Sequence, residues 1–137
     1  MDKSSAEASF VETLDNGEAL FVASVKKCSS WVLDSASTFH ICSHRDWFSD
    51  YVQFYCEVII GDGSTCEIIG IGFIYIQVHD GNIKKLIDVR FVPKLKRNLI
   101  SLSTLEAMGF NFAAIDGVLK VSRGNRIILK GNYLNNL

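Results

Sequence analysis

The chain has 137 residues, 48% hydrophobic and 21% charged. That length fits one domain, and that apolar content can fill a core, which excludes disorder over most of the chain. No run of 18 apolar residues occurs, which excludes a membrane-spanning helix, and no membrane partner is expected. The first ten residues carry Asp2, Lys3 and Glu7 and no apolar stretch, so a secretory signal is not expected and the expected location is cytoplasmic. Cys28, Cys42, Cys56 and Cys66 form no C-x-x-C pair, and in that compartment they are expected to be free thiols. The net charge of −1 is unevenly spread. Residues 1–83 hold 12 acids and 4 bases, a net of −8, and residues 84–137 hold 3 acids and 10 bases, a net of +7. A basic half can mark a nucleic-acid surface, although no aromatic-and-basic stacking pattern accompanies it and a solvated sheet face is the better reading.

In chain order, residues 1–30 read as a polar leader, either partly disordered or a docked strand, with a polar break at Lys26 to Ser30. The domain is expected to run over residues 31–137. Trp31-Val32-Leu33 is a short apolar run ending in Asp34-Ser35. Val58-Ile59-Ile60, then Gly61-Asp62-Gly63-Ser64, then residues 65–69 read as a hairpin, because glycine accepts the positive φ of a tight turn. Gly70-Ile71-Gly72 predicts a bulge or bend. Residues 73–78 resume the strand, Asp80-Gly81-Asn82 turns, and residues 83–92 form a third strand. In that strand Ile87, Val89 and Phe91 share one parity and are expected to face the core. A helix follows, N-capped by Ser101 or Ser103, with the capping-box spacing Ser103-Thr104-Leu105-Glu106, an apolar face of Leu102, Leu105 and Met108, and a stop at Gly109. Short strands follow at residues 110–114, 118–121 and 127–129, joined by Asp116-Gly117 and Arg123-Gly124-Asn125. Seven or eight short strands and one short helix near the C-terminal third predict an all-β fold, a small closed or nearly closed β-barrel. The last residues, Asn132 to Leu137, read as cut off.

The sharpest chemical signal is Trp31-Val32-Leu33-Asp34-Ser35-Ala36-Ser37-Thr38. An apolar strand runs straight into a carboxylate followed by a hydroxyl and small residues. Aspartic proteases need a carboxylate at the end of a rigid strand, a neighbouring hydroxyl, and a small residue that lets backbone approach. Two such carboxylates share one proton, so that one acts as base and the other as acid. This chain has one such segment, and a working site would need a homodimer in which each copy supplies Asp34. A carboxylate that merely caps a local turn, or faces bulk solvent with no surface for a second copy, would not serve.

The string from Trp31 to Thr38 continues through Phe39-His40-Ile41-Cys42 to Arg45-Asp46-Trp47-Phe48. It resembles the start of the protease-like region in copia-type LTR retrotransposon Gag-Pol polyproteins, whose usual form is W-x-L-D-S-G-[AC]-[ST]-x-H-[MI]. Gly61-Asp62-Gly63-Ser64 with Gly70-Ile71-Gly72, and Asp88-Val89-Arg90-Phe91-Val92-Pro93 leading to Asn98-Leu99-Ile100-Ser101-Leu102, also look like that family. The resemblance runs from about Trp31 to the C-terminus. It implies a retropepsin-like, acid-protease type barrel, also described as the β-barrel domain of the TNT-type transposon polyprotein. By resemblance Asp34 matches the catalytic aspartate and Ser35 the hydroxyl beside it. Ala36 stands where the family has Gly, tolerable only if that φ is negative. Asn98-Leu99-Ile100-Ser101 is similar to the apolar-apolar-Gly element before the helix, with Ser101 replacing the Gly. The hairpin around residues 61–72 would lie in the flap region.

The function this implies is a retrotransposon-derived aspartic endopeptidase, active only as a homodimer and cutting a Gag-Pol polyprotein peptide. The alternative is a degenerate, non-catalytic barrel serving as a structural or interaction module, with nucleic acid a weak further partner through Lys84, Lys85, Arg90, Lys94, Lys96, Arg97, Lys120, Arg123, Arg126 and Lys130. His40-x-Cys42-x-His44 places three soft ligands at alternate strand positions, and a fourth would have to come from Cys56, Cys66 or His79; satisfied histidines and buried thiols are the better reading. The glycines at 61–72 precede no helix and no Lys follows them, so they read as turn residues and not as a phosphate cradle. No metal and no cofactor is expected.

Overall fold

The computed structural model describes residues 25–27, 30–59 and 63–134. Among them are eleven strands: β1 (Val25–Lys27), β2 (Trp31–Asp34), β3 (Ile41–Cys42), β4 (Ser49–Ile59), β5 (Thr65–Gln77), β6 (Ile83–Phe91), β7 (Asn98–Ser101), β8 (Asn111–Ile115), β9 (Val118–Arg123), β10 (Arg126–Gly131) and β11 (Tyr133–Leu134). Among the described residues one α-helix, α1 (Leu102–Ala107), follows β7, and a 3-10 turn, Arg45–Trp47, precedes β4. The all-β class holds. An eight-stranded sheet runs β1-β5-β6-β3-β7-β2-β11, with β4 also pairing β5, and a three-stranded sheet runs β10-β9-β8.

The strands form where apolar and β-branched residues alternate or run together. Trp31 and Leu33 of β2, Ile74 and Ile76 of β5, Ile100 of β7, and Leu119 and Val121 of β9 are buried in one continuous cluster. Leu102 and Leu105 of α1 and Phe110 behind it close that cluster. A smaller cluster of Ile41, Cys66, Ile68 and Val92 lies between β3, β5 and the end of β6, with Phe39, Val58, Leu95 and Leu99 packed on it half-buried.

Several local signals act as read. Asp116 (φ 55) and Gly117 (φ 78) make the two-residue turn between β8 and β9, and Gly81 takes φ 88 after β5. Gly109, at φ 96, ends α1. The β4–β5 hairpin forms, with Ile59 opposite Thr65. Ile60, Gly61 and Asp62 of its expected turn lie outside the described residues, as do Cys28, Ser29, residues 1–24 and the last three residues.

Other expectations are corrected. The polar break expected from Lys26 begins later, since Lys26 and Lys27 belong to β1, which pairs in parallel with Tyr75 to Gln77 of β5 and agrees at residues 25–27 with the docked-strand alternative. β5 runs continuously through Gly70 and Gly72, but the bulging expected there forms: its pairing with β6 slips between Gly72 and Ile74, opposite Val89 and Leu86, and its pairing with β4 slips between Phe73 and Ile71 and between Gly70 and Ile68. Phe73 of β5 thus opposes both Ile87 and Asp88 of β6, and Asp88, at φ 55, is the residue that absorbs the extra length. This bulge inverts the parity of β6. Lys84 and Leu86 are buried before it and Val89 after it, while Ile87 is only half-buried.

Candidate active site

β2 is held on both sides. It runs parallel to β7, with Asp34 level with Ser101, and parallel to β11, with the Leu33 N–H donating to the Asn132 carbonyl at 3.0 Å. Trp31, Leu33 and Asp34 are buried, so the strand delivers its terminal carboxylate from a fixed frame. Asp34 is 5% exposed. Its Oδ1 accepts the Ala36 N–H at 2.8 Å. One oxygen is thereby tied into the local turn, while the side chain avoids bulk solvent and borders a cleft. Ser35, the hydroxyl beside it, is half-buried and Ala36 is exposed. Ala36 is not among the residues with positive φ, so its Cβ introduces no backbone strain where the family pattern has glycine.

The turn after Asp34 is tethered to the start of α1. Ser101 Oγ donates to the Ser37 carbonyl at 2.6 Å and accepts the Thr104 N–H at 3.1 Å, acting as N-cap. Ser103 Oγ donates to the same Ser37 carbonyl at 3.1 Å, and Thr104 Oγ1 donates to the Thr38 carbonyl at 3.0 Å. The expected choice between Ser101 and Ser103 resolves to Ser101. The departure from glycine at that position supplies a cap and a tether that glycine cannot.

The cleft at Asp34 has a volume of about 440 Å³. Asp34, Ala36, Ser37 and Thr38 form one end, Phe39, Ile41, Leu95 and Leu99 an apolar floor, and Glu57, Val58 and Ile59 of β4 another wall. The hairpin expected in the flap region therefore borders the carboxylate through its first strand. Its apolar residue Ile59 is 77% exposed at the end of that strand.

His40, read from sequence as a conceivable metal ligand, has another role. It is 3% exposed, and its Nδ1 accepts the Ser101 N–H at 2.9 Å. Burial, reinforced by the charge of Arg90, pushes the imidazole pKa down to about 3, so the ring is neutral across the physiological range. Cys42 is buried with its thiol pushed up to about 11 by desolvation, and its Sγ accepts the His44 N–H at 3.4 Å. The His44 ring stacks on Trp47 at 4.1 Å. Among the described residues no group of three His, Cys, Asp or Glu side chains could hold a metal. Cys42, Cys56 and Cys66 are free thiols.

The basic residues of the second half sit in different surroundings. Lys84 is buried, Lys85 sits over Phe73 at 4.2 Å, Arg90 over Phe39 at 4.1 Å and Arg123 over Phe110 at 5.2 Å. Lys94, Lys96 and Arg97 are exposed between β6 and β7.

Sequence reasoning missed the part played by His40, Ser37 and Thr104. The available signal was the density of hydroxyls at Ser101, Ser103 and Thr104, which cap rules explain only in part.

Comparison with known proteins gives a consistent picture. The family described as "Pol polyprotein, beta-barrel domain" matches residues 31–110. The "Retrovirus-related Pol polyprotein from transposon TNT 1-94" of Nicotiana tabacum is 34% identical over 132 residues, covering 90% of this chain and 10% of that protein. The "Putative transposon Ty5-1 protein" of Saccharomyces cerevisiae is 35% identical over 77 residues, 56% of this chain and 49% of that protein. The chain thus spans a tenth of the first relative and about half of the second. No solved structure matches.

Proposed function

The chain belongs to the Pol polyprotein beta-barrel domain family, and on that premise we propose that it is one half of an aspartic endopeptidase, active as a homodimer, that cuts the retrotransposon polyprotein containing it. Each copy contributes Asp34. Two carboxylates a few ångströms apart cannot both ionise and so share one proton. The ionised member takes a proton from water as the water oxygen bonds to the peptide carbonyl carbon, and the protonated member gives its proton to the carbonyl oxygen. Collapse of that adduct breaks the C–N bond, a proton passes to the departing nitrogen, and a carboxyl and an amino terminus result.

The observation that carries this reading is the placement of Asp34. It ends a strand flanked on both sides, it is buried, and it borders a cleft with an apolar floor and a hairpin strand as its wall. Such a cleft suits the side chains of an extended peptide. Neither departure from the family pattern obstructs it: Ala36 avoids positive φ, and Ser101 caps α1.

The test is cleavage of a peptide library by the full chain at mildly acid pH, read by mass spectrometry, with sedimentation to follow self-association. Cleavage that disappears in Asp34→Asn supports the proposal. Cleavage that persists in that variant, or a chain that stays monomeric at high concentration and cuts nothing, overturns it.

One observation favours a second reading. The Oδ1 bond to the Ala36 N–H is also what a plain aspartate turn makes. A barrel that kept this turn for stability alone would serve as a structural module of the polyprotein, and the monomeric, inactive outcome is the one it expects.

A further inference from the structure

We propose that His40 is a positioning residue that holds the Asp34 turn in place, acting through Ser101. The proposal rests on reading Asp34 as the reacting group, and the argument starts from a buried ring. His40 is buried, and its imidazole Nδ1 accepts the Ser101 N–H at 2.9 Å. With Nδ1 accepting, a neutral ring carries its proton on Nε2.

The residue so gripped stands level with Asp34 in the neighbouring strand. Its hydroxyl donates to the Ser37 carbonyl at 2.6 Å. Ser37 follows Ala36, whose N–H reaches Asp34 Oδ1 at 2.8 Å. The path from imidazole to carboxylate is therefore a continuous series of short hydrogen bonds and one peptide link. The backbone of His40 is fixed as well, since its carbonyl accepts the Arg90 N–H of β6 at 2.8 Å. His40 thus braces β6 against the end of β7, and the end of β7 against the turn that carries Ala36 and Ser37 into the cleft. What the position requires is an acceptor of the right length. Asparagine offers a carbonyl oxygen near the place of Nδ1, whereas leucine fills the space and leaves the buried Ser101 N–H without a partner.

The experiment compares His40→Asn, His40→Leu and Ser101→Gly in the full chain. Amide exchange at Ala36 and Ser37 is measured together with kcat and KM on a cleaved peptide. Leucine at 40 and glycine at 101 are expected to speed exchange of the Ala36 N–H by about tenfold or more and to lower kcat similarly with little change in KM, the signature of a misplaced reacting group. Asparagine at 40 is expected to recover most of both losses. Ala36 exchange that stays at the wild-type rate with leucine at 40, or asparagine that performs no better than leucine, overturns the proposal. Where the leucine variant does not fold, Ser101→Gly keeps the N–H for His40 and removes the tether together with the side-chain cap on Thr104, and unchanged Ala36 exchange there overturns it as well. A wild-type chain that cleaves nothing while its variants show the expected exchange sinks the endopeptidase reading and leaves the positioning role standing.

Discussion

Ser101 lies level with Asp34 across the parallel β2–β7 pair, and its hydroxyl donates to the carbonyl of Ser37, three residues beyond that carboxylate, at 2.6 Å. The same oxygen accepts the Thr104 N–H and so caps α1. One side chain therefore joins the helix start to the turn that borders the cleft. Replacing a serine cap by alanine removes an acceptor from an orphan helix N–H and costs about 0.5–2 kcal/mol. Ser101→Ala loses the tether in addition, so a loss of about 2 kcal/mol is expected in urea unfolding, with an unchanged m-value. A change of only a few tenths would show that neither bond contributes to stability.

His40 makes stability depend on pH in a stated direction. Burial and Arg90 depress its folded value to about 3, against an ordinary value of 6.5. Above 6.5 neither state binds the proton, and the contribution to stability is fully present. Below it the unfolded chain takes up a proton that the folded chain refuses until the pH nears 3. Stability therefore falls as pH drops through that window, by up to about 1.4 kcal/mol per pH unit from this group. Urea midpoints measured between pH 7 and about 4.5, above most carboxylate titration, check it. His40→Asn, which carries no titrating ring, is expected to flatten the slope.

Much of this architecture is written in local preferences, because each element obeys rules that act within a few residues. The Asp116-Gly117 turn, the stop at Gly109 and the strand that ends at Asp34 all depend on what a residue and its neighbours can adopt. The bulge at Asp88 is different. An aspartate accepts φ 55 without advertising it, and the extra residue inverts side-chain direction across it, so a parity reading that is sound at Val89 fails at Ile87 on the other side, where Leu86 takes the core face. The candidate site divides in the same way. Asp34, Ser35 and Ala36 announce themselves by order and residue type. The His40 bond to Ser101 joins positions 61 apart, and nothing local in either residue demands it. A histidine two residues from a cysteine looks like a ligand until the fold shows what its nitrogen holds.

Gly70 is present because Tyr51 occupies the space where a side chain would stand. A Cβ on Gly70 would overlap the Tyr51 ring, which is held between Phe48, Phe91 and the Arg45 guanidinium 3.5 Å from its centroid. That ring has little freedom to withdraw, so Gly70→Ala is expected to destabilise by about 1–3 kcal/mol, the usual cost of overpacking. The cause is steric and local, which a double-mutant cycle isolates. In a Tyr51→Ala background the alanine at 70 is expected to cost at least about 1 kcal/mol less, a coupling typical of residues in contact. Additive losses in thermal or urea unfolding would place the strain elsewhere.

The thiols differ in reactivity for a physical reason. Desolvation pushes Cys42 up to about 11, so at neutral pH it remains protonated, and the thiolate is the species that reacts. Cys56 is half-buried on β4 and its sulfur sits at the surface of the hairpin, donating to the Glu57 carbonyl at 3.5 Å. Iodoacetamide at neutral pH is expected to label Cys56 while sparing Cys42, and urea is expected to expose Cys42 to the reagent, both read by peptide mapping. The same shift acts on stability at high pH. Between 9 and about 11 the unfolded chain gives up its thiol proton first, so this group's contribution to stability is lost as pH rises through that interval. Labelling of Cys42 as fast as Cys56 in the native chain would show that β3 opens far more readily than its burial implies.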